Sequence, residues 1–548
     1  MNFPLHRRLV ACLFLFLTPL WGQIQPDPCV DTLLDDIVRV QYSGDLTQPG
    51  AVIHKVHHNP PYYNPHELPA KLFQGNRVLY FPDFEVFDPQ TPVVLFIHGQ
   101  GFNQASHDHL LQHLARNGFI CQTWKRGDTD PGGELPDPMA LITEVKTYFS
   151  LDQDTPVIVI GHSYGGKMAT NLAEENQNAG APHNIRALVG ISPTSEAGLH
   201  LTPTEAPNYL VLLGSRDQDT YGWETEPPGA TEARAGFAAY DRAGTEGSTD
   251  VIFVPPGGSA VRQLKAMVFL YGMDHDGSSN FQQQCNSGTQ YLDYDDMRCF
   301  TRAYVTGFLR WRIYGEDDHG GMFAGDWKPQ SVLTATTAAA DGWGNAAGAP
   351  LGIYQQYSAT YRRALVNFST TPTIYKSSGI NYSIGPALDI DDWAPHDTRL
   401  MKVTWSFAAN ARYLWIPIPS YQQNLTGFDT FSLRVGQAYN AWWLLNPFNQ
   451  EQEFNIWLLD ENFSGTSMPA HLWGEIPFPD DSEFIGVALP CESNGDQSKS
   501  AMSTVRIPLS SWSRHMNLSK VIYMGIELPA NSFGTLLFDN FEVSRDDY

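Results

Sequence analysis

Between Val78 and Tyr314 short apolar runs alternate with longer amphipathic stretches. Pro92 to Ile97 (PVVLFI), Phe119 to Trp124, Val157 to Ile160, Ala187 to Ile191, Tyr209 to Leu213 and Ala266 to Tyr271 read as strands. Asp108 to Asn117, Met139 to Phe149, Lys167 to Asn176 and Thr301 to Tyr314 carry helical apolar spacing. The strand runs are apolar on both faces, as in a parallel sheet covered by helices on either side. The pattern changes after Tyr314. A Gly-, Ala- and Thr-rich stretch follows, and beyond it no long helical pattern returns. Met401 to Phe407, Phe431 to Val435, Phe454 to Leu459, Thr504 to Leu509, Val521 to Leu528 and Thr535 to Val543 read as strands parted by Pro, Gly, Asn and Ser clusters. That half predicts a β-sandwich.

The expected organisation is therefore an α/β domain over residues 78–325, a linker over 326–348 and an all-β sandwich over 349–548. Residues 23–77 form an N-terminal extension. Residues 1–22 read as a secretory signal peptide: His6, Arg7 and Arg8 precede the apolar run Leu9 to Leu17, and Gly22 supplies a small residue at the cleavage point. The run is too short to span a bilayer, and no other segment is apolar for about 18 residues, so no membrane-spanning segment is expected. Export points to a secreted or periplasmic location.

Composition narrows the partners. The 548 residues include 59 acids against 34 lysines and arginines, a net charge of −25. Such a chain is repelled by phosphate backbones, which excludes nucleic acid. Hydrophobic residues make up 42% of the chain, which excludes global disorder. Of the cysteines beyond the signal, Cys285 and Cys299 flank one loop and are expected to form a disulfide, worth about 3 kcal/mol for a loop of that length. Cys121 lies in an apolar run and reads as a buried thiol.

The candidate chemistry sits in the first domain. The strand Val157 to Ile160 runs into Gly161-His162-Ser163-Tyr164-Gly165-Gly166 and then a helix. G-x-S-x-G in that context is a nucleophile elbow. The serine occupies a tight turn, and the small residues let strand and helix approach closely. The following amide, that of Tyr164, points at a developing oxyanion. Upstream, His98-Gly99-Gln100-Gly101 also follows a strand, and the amide of Gln100 is the expected second donor. A nucleophilic serine needs a base, and the base an orienting acid, in the chain order Ser, acid, His. Asp217 follows a strand end in Gly214-Ser215-Arg216-Asp217, with Asp219 as the alternative. His275 follows Ala266 to Tyr271 and is the only histidine between His200 and His319. His319 is the fallback. His54, His57 and His58 lack metal-ligand spacing, and no metal or cofactor is expected.

These motifs carry a resemblance. HGQG at 98–101, the segment Asp108 to Trp124 and GHSYGG at 161–166 resemble secreted cutinase-like polyester hydrolases and platelet-activating-factor acetylhydrolases of the α/β-hydrolase class. The resemblance implies hydrolysis of a carboxylic ester, small or polymeric, through an acyl-serine. Its roles fall on Ser163, Asp217, His275 and the amides of Gln100 and Tyr164. The acid loop departs from the cutinase spacing. Thr504 to Leu509 and Leu537 to Val543 resemble galactose-binding or carbohydrate-binding jelly rolls, which implies a polysaccharide partner. There Asp539 is a candidate structural calcium ligand against the plainer reading of a surface acid. Trp442, Trp443 and Trp473 are candidate stacking residues or core.

Two other classes remain open. One is an X-prolyl serine peptidase, against which the short stretch between Ser163 and Asp217 leaves no room for a helical cap. The other is a non-catalytic carbohydrate-binding protein with a relict triad. Because every candidate catalytic residue precedes the boundary, a chain ending near Asp326 is expected to retain small-ester hydrolysis.

Overall fold

The computed structural model describes residues 27–34, 37–43, 52–58, 77–124, 137–194, 207–217, 235–243, 264–280, 292–332, 353–366, 368, 371–391, 394, 396–438, 446, 451–478 and 500–545. The signal segment, Asp219, Cys285, Cys491, Trp442 and Trp443 lie outside them.

The first domain is built on a ten-stranded sheet. Its strands are β1 (Ile37–Ser43), β2 (Val52–His58), β3 (Arg77–Pro82), β4 (Val93–Ile97), β5 (Ile120–Trp124), β6 (Pro156–His162), β7 (Asn184–Ile191), β8 (Asn208–Arg216), β9 (Lys265–Asp274) and β10 (Ile353–Ser358). The spatial order is β10-β9-β8-β7-β6-β4-β5-β3-β1-β2. The middle, from β5 to β9, is parallel, and both flanks are antiparallel. Val157 to Ile160 and Leu210 to Leu213 are fully buried, as expected for strands with helices on both faces.

The helices of this domain are α1 (Asp108–Arg116), α2 (Pro138–Tyr148), α3 (Tyr164–Asn178), α4 (Ala235–Arg242), α5 (Tyr294–Tyr314) and α6 (Gly320–Ala324). Helix α2 starts where Asp137 accepts from the Met139 amide, with Pro138 in the first turn. Helix α5 starts where Asp293 caps the Asp295 amide and stops at Gly315, whose left-handed backbone (φ 72°) glycine adopts without strain. Among the described residues no helix is long and apolar enough to cross a membrane.

The C-terminal region is an all-β sandwich of two sheets, both antiparallel throughout. One contains β11 (Arg362–Val366), β13 (Ile380–Pro386), β14 (Arg399–Trp405), β16 (Thr430–Gln437), β19 (Ser503–Pro508) and β21 (Gly534–Ser544). The other is ordered β12 (Tyr375–Lys376), β15 (Arg412–Pro417), β20 (Val521–Leu528), β17 (Asn455–Asp460) and β18 (Gly465–Pro469). Their inner faces interlock: Leu414, Ile416, Ile456 and Met524 from the second share one core with Met401, Val403, Leu433 and Phe538 from the first.

Two boundaries differ from expectation. Residues of the N-terminal extension supply β1 and β2, which extend the first sheet at one end. At the other end β10, expected in the sandwich, pairs antiparallel with β9 from Ile353↔Leu270 to Ser358↔Lys265. Both additions are antiparallel strands at the flanks of the sheet. They lack the strand–helix–strand rhythm by which the parallel centre is read.

The two regions share a buried ionic junction. Arg434 on β16 donates to Asp241 on α4 at 2.5 Å and also to Asp539 on β21. His396 lies 3.2 Å from the same Asp241 carboxylate. Burial alone would raise the Asp241 carboxyl; Arg434 and His396 overcome this and hold it below the usual carboxylate range. Nearby, the Tyr357 amide of β10 donates to Thr504 on β19 at 3.0 Å, and Arg506 covers the Tyr357 ring. Asp539, the candidate calcium ligand, is thus engaged by a guanidinium and only 1% exposed, not a surface acid.

Candidate active site

The turn from β6 to α3 carries Ser163. Its backbone stands at φ 55° and ψ −127°, a conformation that costs a non-glycine residue on the order of 1–3 kcal/mol. Hydrogen bonds impose it. The Ser163 amide donates to the Ile191 carbonyl at 3.0 Å, and its own carbonyl accepts from Gly166 at 2.8 Å and Thr194 at 3.1 Å. The flanking glycines are required sterically. A Cβ on Gly161 would meet the Gly165 carbonyl oxygen at 2.0 Å, and one on Gly165 would meet the Ile97 carbonyl oxygen at the same distance.

The loop after β4 abuts this turn. A Cβ on Gly99 would lie 2.8 Å from the Ser163 Cβ. The next residue, Gln100, is exposed, and Gly101 takes a positive φ of 82°. Tyr164, the first residue of α3, follows the serine directly. The two amides named as oxyanion donors therefore sit on the two segments that touch the serine.

Asp217 and His275 come from the ends of neighbouring strands, β8 and β9. His275 Nδ1 lies 2.9 Å from Asp217 Oδ1, and Asp217 is fully buried. His275 is hydrogen-bonded through its main chain to His162, the residue before Ser163. His162 Nε2 donates to the His275 carbonyl at 2.9 Å, and the two rings are 4.9 Å apart. Burial first, then the neighbouring His275, push the His162 imidazole down to about 3. It is therefore neutral at neutral pH, with its one proton on Nε2. His319 is elsewhere, against Glu316 at 3.3 Å.

Two acids flank the base. Asp274 and Asp276 are both buried, and burial together with the Asp276 charge pushes the Asp274 carboxyl up to about 7. Behind the site is a layer of rings, buried except for the half-buried Phe102, that the motif spacing did not reveal. His107 stands between Phe96, at 4.6 Å, and His162, at 4.8 Å, while Phe102 meets His162 edge-on at 4.9 Å. Nothing in the periodicity of NQASHDH announces this packing, because it depends on which loops meet above the sheet.

The disulfide differs from expectation. Cys299, at the start of α5, pairs with Cys29 rather than with Cys285. The chain around Cys29 lies across α1 and α5. His113 bonds to the Pro28 carbonyl at 2.7 Å, and the Leu34 amide donates to the Arg116 carbonyl at 2.9 Å. Nearness in sequence favoured Cys285; docking of the N-terminal segment decides the partner. Cys121 is a buried free thiol. Trp473 packs partly buried against the sandwich core.

Residues 94–351 match the model of the alpha/beta hydrolase family, a little under half the chain. These residues form an α/β-hydrolase domain. It is the domain of a hydrolase, and Ser163, Asp217 and His275 all lie within it. No curated protein matches the chain. Among solved structures, the family 11 carbohydrate-binding module of a cellulosomal cellulase from Clostridium thermocellum aligns at 13% identity and a TM-score of 0.23. It covers 34% of this chain and 96% of the module. The same organism's family 11 module bound to a β-1,3-1,4-mixed-linked tetrasaccharide aligns at 14% identity and a TM-score of 0.23, covering 34% of this chain and 98% of the module.

Proposed function

We propose that the protein is an exported serine hydrolase that cleaves carboxylic esters through an acyl-serine. The observation that carries this reading is the 2.9 Å contact of His275 Nδ1 with the buried Asp217, on loops that meet the strained Ser163 turn. Asp217 keeps the His275 proton on Nδ1, leaving Nε2 as the base. His275 removes the Ser163 proton as Oγ attacks the ester carbonyl. The Gln100 and Tyr164 amides hold the oxyanion. The proton passes from His275 to the leaving alkoxide, and water then repeats the sequence on the acyl-serine. No step needs a metal or cofactor. The Cys29–Cys299 disulfide supports an oxidising, extracytoplasmic location.

The sandwich is assigned a polysaccharide partner. On its second sheet Tyr413 stacks parallel to Trp415 at 6.1 Å, and Trp415 meets Trp457 at 6.2 Å. These residues are half-buried and alternate with the core positions, so they belong to the outer face. Flat aromatic faces suit the apolar faces of sugar rings.

The test is a fluorophosphonate probe together with p-nitrophenyl esters. Labelling at Ser163, ester turnover, and a loss of about 10⁶-fold in Ser163→Ala are expected. Cleavage of Pro-p-nitroanilides instead of esters would make it a peptidase. Absence of labelling in folded protein would leave only a binding role. Retention on insoluble β-glucan, lost in Trp415→Ala, tests the sandwich assignment.

A further inference from the structure

His162 is the unassigned residue of the Gly161–Gly165 turn, and its ring touches three separate parts of the site. Its Nε2 donates to the main-chain carbonyl of His275 at 2.9 Å. Its other nitrogen, Nδ1, is buried with no hydrogen-bond partner among the described residues and faces Gly99, where an added Cβ would lie only 3.2 Å away. Phe102, on the loop that follows Gln100, meets the ring edge-on at 4.9 Å, and His107 closes another side at 4.8 Å. The ring is wholly shielded from solvent. Its neighbour in sequence is Ser163, so the ring hangs from the strand that ends in the elbow.

We infer that His162 is the positioning residue for the base, fixing the main chain of His275 relative to Ser163 and the Gln100 loop through its Nε2–H bond. The inference rests on the acyl-serine reading above. Asp217 holds the His275 ring by its side chain. A ring held at one nitrogen still swings with its own backbone, and the His162 bond removes that freedom. The neutral state of His162 suits this role. It keeps a single proton, on the nitrogen that faces the carbonyl, and adds no positive charge beside an imidazole that must accept a proton. Phenylalanine at 162 would keep the ring and its packing but lose the donor. Glutamine would keep an N–H that can reach the carbonyl.

The test compares His162→Phe and His162→Gln in the full-length protein. The readouts are kcat, KM, the rate of fluorophosphonate labelling of Ser163, and the thermal midpoint. A small misplacement of reacting groups costs up to about 100-fold in rate, so the Phe variant is expected to lose about 10- to 100-fold in kcat with KM within about twofold of native. Labelling slows in parallel, and the Gln variant recovers to within about fivefold of native. A Phe variant that unfolds more easily but turns over at the native rate overturns the inference, as does a folded Gln variant as slow as Phe. If the Phe variant does not fold, the Gln variant decides alone: kcat within about fivefold of native supports the bond, and a loss of about 10- to 100-fold refutes it. Activity retained in Ser163→Ala would instead overturn the acyl-serine reading and this inference with it.

Discussion

His275 Nδ1 lies 2.9 Å from Asp217 Oδ1, and the two side chains are 5% and 0% exposed. On the acyl-serine reading, this buried carboxylate holds the imidazole in a single tautomer. Asp217→Asn keeps the shape but presents an amide that can donate, which favours the wrong tautomer. The expected result is a fall in kcat of about 10⁴-fold with little change in the thermal midpoint. Steady-state kinetics on a short p-nitrophenyl ester would measure it. A loss under about tenfold would move the acid role to another residue, Asp219 first.

The parallel centre of the sheet and the elbow were legible because their causes are local. Two-sided apolar runs between helices read as parallel strands, and glycine at 161 and 165 is demanded by contacts of 2.0 Å. Antiparallel strands at the sheet's flanks have no such local signature. β10 is a six-residue run, Ile353–Ser358, with two glutamines, yet every residue is buried: Gln355 lies against α5 and α6, while Gln356 and Tyr357 meet the sandwich. The partner of Cys299 was equally unreadable. It depends on a segment 270 residues away that docks on α1 and α5. The same holds for His162, since its acceptor is a backbone carbonyl and leaves no mark in residue type.

His113 gives a prediction in pH. It is buried on α1 with Nε2 on the Pro28 carbonyl, and burial pushes its imidazole down to about 3. The unfolded chain takes up a proton at this residue below about pH 6.5, while the folded chain does not until about 3. Its contribution to stability is therefore complete above about 6.5 and falls as pH drops through that window, by up to about 1.4 kcal/mol per pH unit. His113→Gln keeps a donor for Pro28 but does not titrate. Denaturation at pH 7 and pH 5 should show the native protein losing about 2 kcal/mol more than the variant. Parallel losses would mean that His113 titrates normally in the folded state.

The last prediction concerns the junction between the two regions. Asp241, Arg434 and Asp539 are 0%, 3% and 1% exposed at the side chain, so one guanidinium is shared by two carboxylates sealed from water. Breaking a buried pair from one side leaves an uncompensated charge, which costs about 3–5 kcal/mol. Arg434→Met should therefore destabilise the whole protein by about that amount, and adding Asp241→Asn should recover part of it by removing one stranded charge. A chain ending near Asp326 fares worse. It loses β10, which uncovers the edge of β9, and it strands Asp241 together with the apolar surface that the sandwich covers. Such an edge invites pairing with other chains. In place of the modular behaviour expected from sequence, the shortened chain should aggregate and fail to hydrolyse even a short ester. Chemical denaturation of the full-length variants, followed through both tryptophan emission and ester turnover, should show one transition in which the two signals are lost together. If Arg434→Met unfolds within about 1 kcal/mol of native, or if the shortened chain is monomeric and active, the junction is dispensable and the α/β-hydrolase domain stands alone.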